Sequence, residues 1–357
     1  MSDFPYTMRD VASLLPLQIR HKKAISIDVD CPFCNAKGKM NINFEKCVFN
    51  CNRCKTHGGM VDLYARYFGI SNSQANEEIY AVVCRHSTPR VPLTPMPAII
   101  ETPAASQRAS ETVVDQTLRT LLEMLTLAQP HKEQLLRRGL TEEQITRYMY
   151  RSTPAFGYRR IVSNMLEMGC TLEGVPGFYK TKDGAWTLNC NPKYTGFFVP
   201  VVSVNGLVQG CQIRLDKPFS DAKYIWFSST GKNCGTPSGS PVHCVGDPCA
   251  ADVYVTEGAL KATIAHCLSG KTFVAVAGAG QFNALGQTFD TLLALGTKRI
   301  SEAYDMDKFK NENVQKGAVQ MMDLARRKGF IVRSLHWDPA FKGVDDYYLA
   351  KSKHQKP

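Results

Sequence analysis

The apolar residues of this chain change spacing repeatedly, and each change marks a different kind of element. Met8, Val11, Leu14 and Leu15 recur at helical spacing, and residues 25–30 read as a strand. Between 41 and 50, Ile42, Phe44 and Val48 alternate with polar residues, which predicts short paired strands. After Gly58-Gly59, helical periodicity covers 60–68. Helical patterns resume at 112–127 and 132–138, and Thr141-Glu142-Glu143-Gln144 is a capping box opening a helix through 149. Beyond 155 come glycine-rich turns and short strands, including 196–204 and 207–215, joined at Val204-Asn205-Gly206 by a hairpin turn. In the last third, strands at 253–256, 272–277, 299–304 and 331–335 alternate with helices at 259–268, 283–295 and 314–328. That rhythm predicts a mainly parallel, wound sheet. No internal repeat is visible.

Composition divides the chain. Residues 87–111 turn to Pro, Thr, Ser and Ala, with prolines at 89, 92, 95, 97 and 103, so neither a helix nor a central strand fits there. An extended tether is expected. The domains expected are therefore 1–86, the linker 87–111, an α+β unit at 112–248, and an α/β unit at 249–357. No apolar run approaches the roughly 20 residues that span a bilayer, and the first residues lack the layout of a secretory signal. A cytoplasmic protein without membrane contact is expected. Thirteen cysteines, an odd count with only four regularly spaced, fit reduced thiols plus one metal site. The net charge of +11 suits a polyanionic partner, although charge alone decides little.

Cys31, Cys34, Cys51 and Cys54 form a C-x2-C-x16-C-x2-C pattern. Two thiolate pairs on tight turns can close a tetrahedron around one zinc ion, and no thioredoxin-like βαβ context offers a redox alternative. With all four positions filled by cysteine, the site reads as closed and structural. Cys47 is out of register, and His57 is better read as a polar residue at the ribbon exit. Lys37, Lys39, Lys46, Arg53 and Lys55 surround this ribbon, with Phe44 and Phe49 between them. Such a surface suits single-stranded nucleic acid, whereas core packing is the competing reading for each ring. Cys234, His243, Cys244 and Cys249 are too irregularly spaced for a second zinc and read as loop thiols.

Glu257 follows one apolar strand, and Asp305 and Asp307 follow another. In an open parallel sheet the carboxyl ends of neighbouring strands converge on one crevice. Carboxylates gathered there repel one another unless a divalent cation neutralises them, and hard oxygen ligands favour Mg²⁺ or Mn²⁺. Asp345, with Asp346 after the last strand, is a further candidate ligand. Gly278-Ala279-Gly280 lacks the Lys-Ser/Thr ending of a P-loop and reads as a tight turn beside the acidic site.

These motifs together resemble the bacterial-type, DnaG-like DNA primases. Cys31-Pro32-Phe33-Cys34, Cys51-Asn52-Arg53-Cys54 and the exit from His57 to Gly69 resemble the primase zinc-binding domain. Arg138-Gly139-Leu140-Thr141-Glu142 resembles the opening helical element of the polymerase core. Gly196-Phe197-Phe198-Val199-Pro200, Gly206, Gly210, Arg214 and Lys223-Tyr224 resemble its basic subdomain. Glu257-Gly258, Asp305-Met306-Asp307 and Lys342-Gly343-Val344-Asp345-Asp346 resemble a Toprim domain. The resemblance runs through nearly the whole chain in the family's order.

The resemblance implies a zinc ribbon, a basic α+β subdomain and a Toprim α/β domain. It also implies synthesis of short RNA primers from NTPs on single-stranded DNA, a nucleotidyltransferase reaction. Asp305 and Asp307, with Asp345, would hold Mg²⁺ or Mn²⁺; Glu257 would be a metal ligand or the acid/base for the 3′-hydroxyl. Arg214 and Lys223 would grip template or nucleotide phosphates, while Arg53 and Lys55 would meet DNA at the ribbon. A replicative helicase is a further candidate partner, and the early end of the chain is read as pointing to a phage, plasmid or other mobile element. Lys261 departs from the family, which commonly has aspartate four residues after the motif glutamate. A Toprim nuclease and a catalytically degenerate DNA-binding primase are the competing readings.

Overall fold

A computed structural model describes residues 4–85, 106–192, 194–219, 222–309 and 311–354. The chain forms two compact units, residues 1–102 and 103–357. Of the expected tether, residues 87–105 lie outside the described residues. Ser106 to Ser110 belong to the second unit: Ala109 N–H donates to Gly174 O at 2.9 Å, and the Arg108 guanidinium donates to Ser238 O at 3.0 Å.

The first unit carries α1 (Met8–Ser13), then an antiparallel sheet of β1 (Ile19–Lys22), β2 (Ser26–Val29), β3 (Met40–Asn43), β4 (Val48–Cys51) and β5 (His57–Gly59), then α2 (Met60–Phe68) and α3 (Asn72–Arg85). Strand alternation puts Met40 and Ile42 inward on β3, facing Cys51 and Phe49 on β4. The expected inward position at Val48 is not observed; Val48 is exposed and Phe49 is buried. The turn through Phe44 to Cys47, with Cys47 at φ +52°, resets the two-residue phase between the strands. Phe44 keeps a half-buried ring under the Arg9 guanidinium, 4.1 Å from its centroid, so neither phenylalanine is an open stacking platform.

The second unit begins with α4 (Glu111–Glu123), α5 (Gln129–Arg137) and α6 (Glu142–Arg147); Thr141 and Gln144 cap α6 reciprocally, as the sequence predicts. There follow β6 (Arg151–Ser152), α7 (Tyr158–Glu167), a hairpin of β7 (Phe178–Lys180) and β8 (Trp186–Leu188), then β9 (Gly196–Val202), β10 (Val208–Phe219) and β11 (Ala222–Trp226). The antiparallel sheet they form has the order β11-β10-β9-β6. β9 is buried on both faces. Phe198 joins the core with Leu118, Leu121 and Phe227, while Phe197, Val199 and Val201 pack against Leu135, Tyr150, Leu260 and Ile264. Each such side chain contributes roughly 1.5–3 kcal/mol of burial. Pro200 survives within β9 because β6 pairs only with Phe197 and Phe198.

The rest of the unit is β12 (His243–Val245), β13 (Asp252–Glu257), α8 (Ala259–Ser269), β14 (Thr272–Val276), α9 (Leu285–Ala294), β15 (Arg299–Glu302), α10 (Glu312–Arg327), β16 (Ile331–Ser334) and α11 (Val344–His354). Its sheet has the order β12-β14-β13-β15-β16, parallel throughout except for β12. The central strands are near-continuous apolar runs because helices cover both faces. The cluster of Leu135, Ile145, Phe197, Leu260 and Ile264 fuses this layer to the four-stranded sheet, so both expected units at 112–248 and 249–357 sit inside one compact body. His243 is no metal ligand here: its ring accepts from Val202 N–H at 3.1 Å, meets Thr263 Oγ1 at 3.1 Å, and is held neutral by burial, which pushes its pKa down to about 3.

Gly317 sits inside α10, where glycine costs about 1 kcal/mol relative to alanine. A Cβ there would lie 2.5 Å from Ala279 O and 2.8 Å from Ala279 Cβ, in the 3₁₀ turn Ala279–Ala284 beside Glu257. Close approach of the helix to that turn requires the glycine. We therefore expect Gly317→Ala to destabilise the protein by about 1–3 kcal/mol in chemical denaturation; the stabilisation that helix propensity alone forecasts would contradict this packing.

Candidate metal centres and acidic crevice

The four cysteines sit on two turns with the same backbone design. Cys31 N–H donates to Ala36 O at 3.0 Å and Asn35 N–H to Cys31 O at 2.9 Å; Cys51 N–H donates to Thr56 O at 2.8 Å and Lys55 N–H to Cys51 O at 2.9 Å. Asn35 and Lys55 take the left-handed region at φ +54° and +61° to close the turns. The Cys31–Cys54 and Cys34–Cys51 Sγ pairs are each 3.7 Å apart, and all four Sγ atoms lie within 4.8 Å of one another. A zinc tetrahedron with bonds of about 2.3 Å has edges of about 3.8 Å, so the set fits the ion. Burial raises the Cys31 and Cys34 thiols. Burial also opposes the Cys54 thiolate, but the Thr56 hydroxyl and backbone N–H at its sulfur bring its pKa down to about 7. Cys47 and His57 stand outside the set: Cys47 Sγ faces Phe44 O, and His57 Nδ1 faces Lys55 O at 2.9 Å. Arg53 and Lys55 are exposed on the second turn.

In the second unit, Glu257 ends β13, and the chain turns sharply into α8 through Gly258. Gly258 takes φ +82° and donates to Val276 O at 2.7 Å, a turn that favours glycine and explains the Glu-Gly pair. Asp305 follows β15, and Asp307 lies in the 3₁₀ turn that comes next, Met306–Phe309. A buried carboxylate that the sequence reading did not single out fixes this turn. Glu302 accepts from Tyr304 N–H at 2.7 Å and from Lys308 Nζ at 2.7 Å, and Ser334 Oγ donates to it as well. Lys308 also reaches Leu335 O at 3.1 Å, tying the turn to the strand end beside it.

Asp345 enters from the first turn of α11 and is 3% exposed. One of its oxygens pairs with Arg138 at the end of α5. Burial works against the Arg138 charge, but Asp345 and the Tyr224 hydroxyl outweigh it and raise its pKa. Tyr224 in turn lies beside the Arg214 guanidinium, which stands 5.3 Å from its ring centroid. Arg214 itself donates to Leu215 O at 2.8 Å, and Lys223, on the neighbouring strand, is exposed. Gly139, at φ +92°, lets α5 close on Leu268 and Leu349, which explains the Arg-Gly-Leu element.

Two lysines occupy the crevice. Lys261 pairs with Asp305 Oδ1, and Lys342 lies 2.8 Å from Asp307 Oδ2 and 4.0 Å from Asp305 Oδ2. Even so, burial raises the pKa of Glu257 and of Asp305; the lysines oppose the rise, and the neighbouring carboxylates add to it. Pairing with Asp307 raises that of Lys342. Among the described residues, three carboxylate oxygens remain buried without any hydrogen-bond partner: Glu257 Oε1, Asp307 Oδ1 and Asp345 Oδ1. Hard, unpartnered anionic oxygens fit a divalent cation that keeps part of its water shell. Among the described residues, the cysteines are the only set of three or more potential ligands whose atoms all lie within 4.8 Å. The acidic groups are spaced more widely, as suits an ion gripped by one or two carboxylates at a time. The Ala279 backbone N–H approaches Glu257, placing the Gly278-Ala279-Gly280 turn beside the acidic site as expected.

No protein-family model matches this sequence, and no curated protein matches it. Among solved structures, the fold is similar to the zinc-binding and RNA polymerase domains of the Aquifex aeolicus primase, with a TM-score of 0.51 and 15% identity over 98% of this chain and 81% of that one. A DNA primase domain from Pseudomonas aeruginosa matches 67% of this chain and 75% of its own at 17% identity and a TM-score of 0.49. The RNA polymerase domain of Mycobacterium tuberculosis primase DnaG, bound to a double-stranded DNA oligomer with an overhang, matches 70% of this chain and 81% of its own at 15% identity and a TM-score of 0.49. The chain thus shares the fold of the zinc-binding and RNA polymerase domains of a bacterial primase.

Proposed function

We propose that this chain is a DNA primase, a nucleotidyltransferase that joins NTPs into short RNA primers on single-stranded DNA. The observation that carries the reading is the set of unpartnered carboxylate oxygens on Glu257, Asp307 and Asp345, beside Asp305 at the carboxyl ends of parallel strands. The fold shared with the Aquifex aeolicus primase supports it. On this reading residues 249–357 are a Toprim domain, residues 112–248 the basic subdomain, and residues 1–86 the DNA-binding zinc ribbon.

Glu257, Asp305 and Asp307, with Asp345, form the acidic set that would hold Mg²⁺ or Mn²⁺. A bound divalent ion would neutralise triphosphate charge and stabilise charge developing at phosphorus. Lys342 is 66% exposed on its side chain, so it can leave Asp307 and meet an entering triphosphate. Glu257 would act as a ligand of the divalent ion or as the acid/base for the primer 3′-hydroxyl. Arg138 holds Asp345 still and, through Tyr224, sets Arg214 beside the exposed Lys223 for phosphate contacts. Arg53 and Lys55 present cations at the ribbon for template phosphates.

The test is primer synthesis from labelled NTPs on single-stranded DNA with Mg²⁺. Glu257→Gln and Asp307→Asn keep the side-chain shapes, and each is expected to lower the rate at least about 100-fold. Full synthesis by both variants would overturn the assignment, and cleavage of DNA without NTPs would favour a Toprim nuclease. Chelation of zinc should abolish protection of residues 26–65 in hydrogen exchange while leaving residues 253–335 protected, because Cys31 and Cys51 lie in the first unit's core. Unchanged protection at the ribbon would contradict a structural zinc site.

A further inference from the structure

Lys261 lies in the first turn of α8, four residues after Glu257, and its ammonium points at Asp305. Its side chain is only 17% exposed, and that of Asp305 only 13%. The stem is tightly seated: a Cβ added at Gly343 would lie 3.2 Å from Lys261 Cε and 2.4 Å from Asp345 Oδ1. Gly343 thus leaves the space through which the lysine passes next to the free oxygen of Asp345. Lys342 is held differently, with its side chain two-thirds exposed and free to swing away.

Charge counting then separates fixed from exchangeable partners. The crevice holds four carboxylates, Glu257, Asp305, Asp307 and Asp345, and two enclosed cations, Lys261 on Asp305 and Arg138 on Asp345. Once Lys342 swings out, two negative charges are left without a cation, on Glu257 and Asp307, and both residues carry an unpartnered buried oxygen; Asp345 Oδ1 is unpartnered too, but Arg138 balances that carboxylate's charge. Two charges match one divalent ion. A second ion at Asp305 would have to displace or approach an enclosed ammonium, which Coulomb repulsion at a few ångströms opposes strongly in this partly dry site.

We propose that Lys261 is a built-in monovalent occupant of the crevice, so that the site takes a single divalent cation, on Glu257 and Asp307. Asp305 then serves as the lysine's anchor, although it shares the Asp-x-Asp turn with a ligand. The inference rests on the metal-binding reading above and sharpens it. Lys261 acts as a positioning residue, fixing Asp305 and setting the number of ions without touching the reacting atoms.

The experiment counts ions in the absence of nucleotide and DNA, so it does not depend on catalysis. The full, zinc-loaded chain is titrated with Mn²⁺, and free ion is read by electron paramagnetic resonance. One Mn²⁺ per chain is expected for the native protein, and two for Lys261→Asp. Lys261→Met keeps the stem packing and removes the charge, so it should bind Mn²⁺ at least about ten-fold more tightly; its thermal melt reports that the fold is retained. Two ions on the native chain, or unchanged affinity in Lys261→Met, would overturn the role of Lys261 while leaving the metal site standing. No bound Mn²⁺ in any form would overturn the metal reading itself, and this inference with it.

Discussion

Electrostatic repulsion among carboxylates brought together at the ends of parallel strands is the constraint around which the second unit is arranged. Glu257, Asp305 and Asp307 arrive there because β13 and β15 are adjacent and parallel, and the turn that follows each strand is short. Burial makes each negative charge more costly than it is in water, and proximity adds to that cost. The surroundings answer with cations from distant parts of the chain: Lys261 from α8, Lys342 from the loop before α11, and Arg138 from α5. These contacts also hold the layers together. The Arg138–Asp345 pair and the apolar cluster of Leu135, Phe197 and Leu260 join the four-stranded sheet to the five-stranded one. A site that needs neutralising thereby becomes a point of attachment.

The first unit solves a similar problem with softer ligands. Its two cysteine turns repeat the same hydrogen bonds and the same left-handed residue, so four thiols converge although the unit has only a modest core. The reading of the C-x2-C pairs depended on short-range geometry, which spacing encodes directly.

How much was legible follows from that distinction. Glu257 could be placed at a strand end because β13 and β14 carry apolar runs with clear stops, and the Asp305-Met306-Asp307 turn because the alternation of strands and helices continues through the shorter, more polar β15. The capping box at Thr141 is equally local. By contrast, α3, α7 and α11 went unread: among the described side chains α3 buries only Ala75 and Ile79 fully and α7 only Val162 and Met165, and such narrow stripes are hard to separate from loops. The inward face of β4 was misplaced because a turn of four residues shifted the phase. No spacing rule could have joined Arg138 to Asp345 across 207 positions. Glu302 was invisible for the same reason, since its partners Lys308 and Ser334 come from different elements. Lys261 could be seen only as a departure; its seat beside Gly343 gives the departure a physical meaning.

The central claim is that the acidic crevice holds a divalent ion between Glu257 and the Asp307 turn, and local radical cleavage tests it most directly. Fe²⁺ replaces Mg²⁺ on the zinc-loaded chain, ascorbate and peroxide are added, and backbone cuts are mapped by mass spectrometry. The account predicts cuts clustered near 256–258, 304–307 and 343–345, all lost in Glu257→Gln and Asp307→Asn. Cuts elsewhere in the second unit, or the same cuts surviving in both variants, would contradict it.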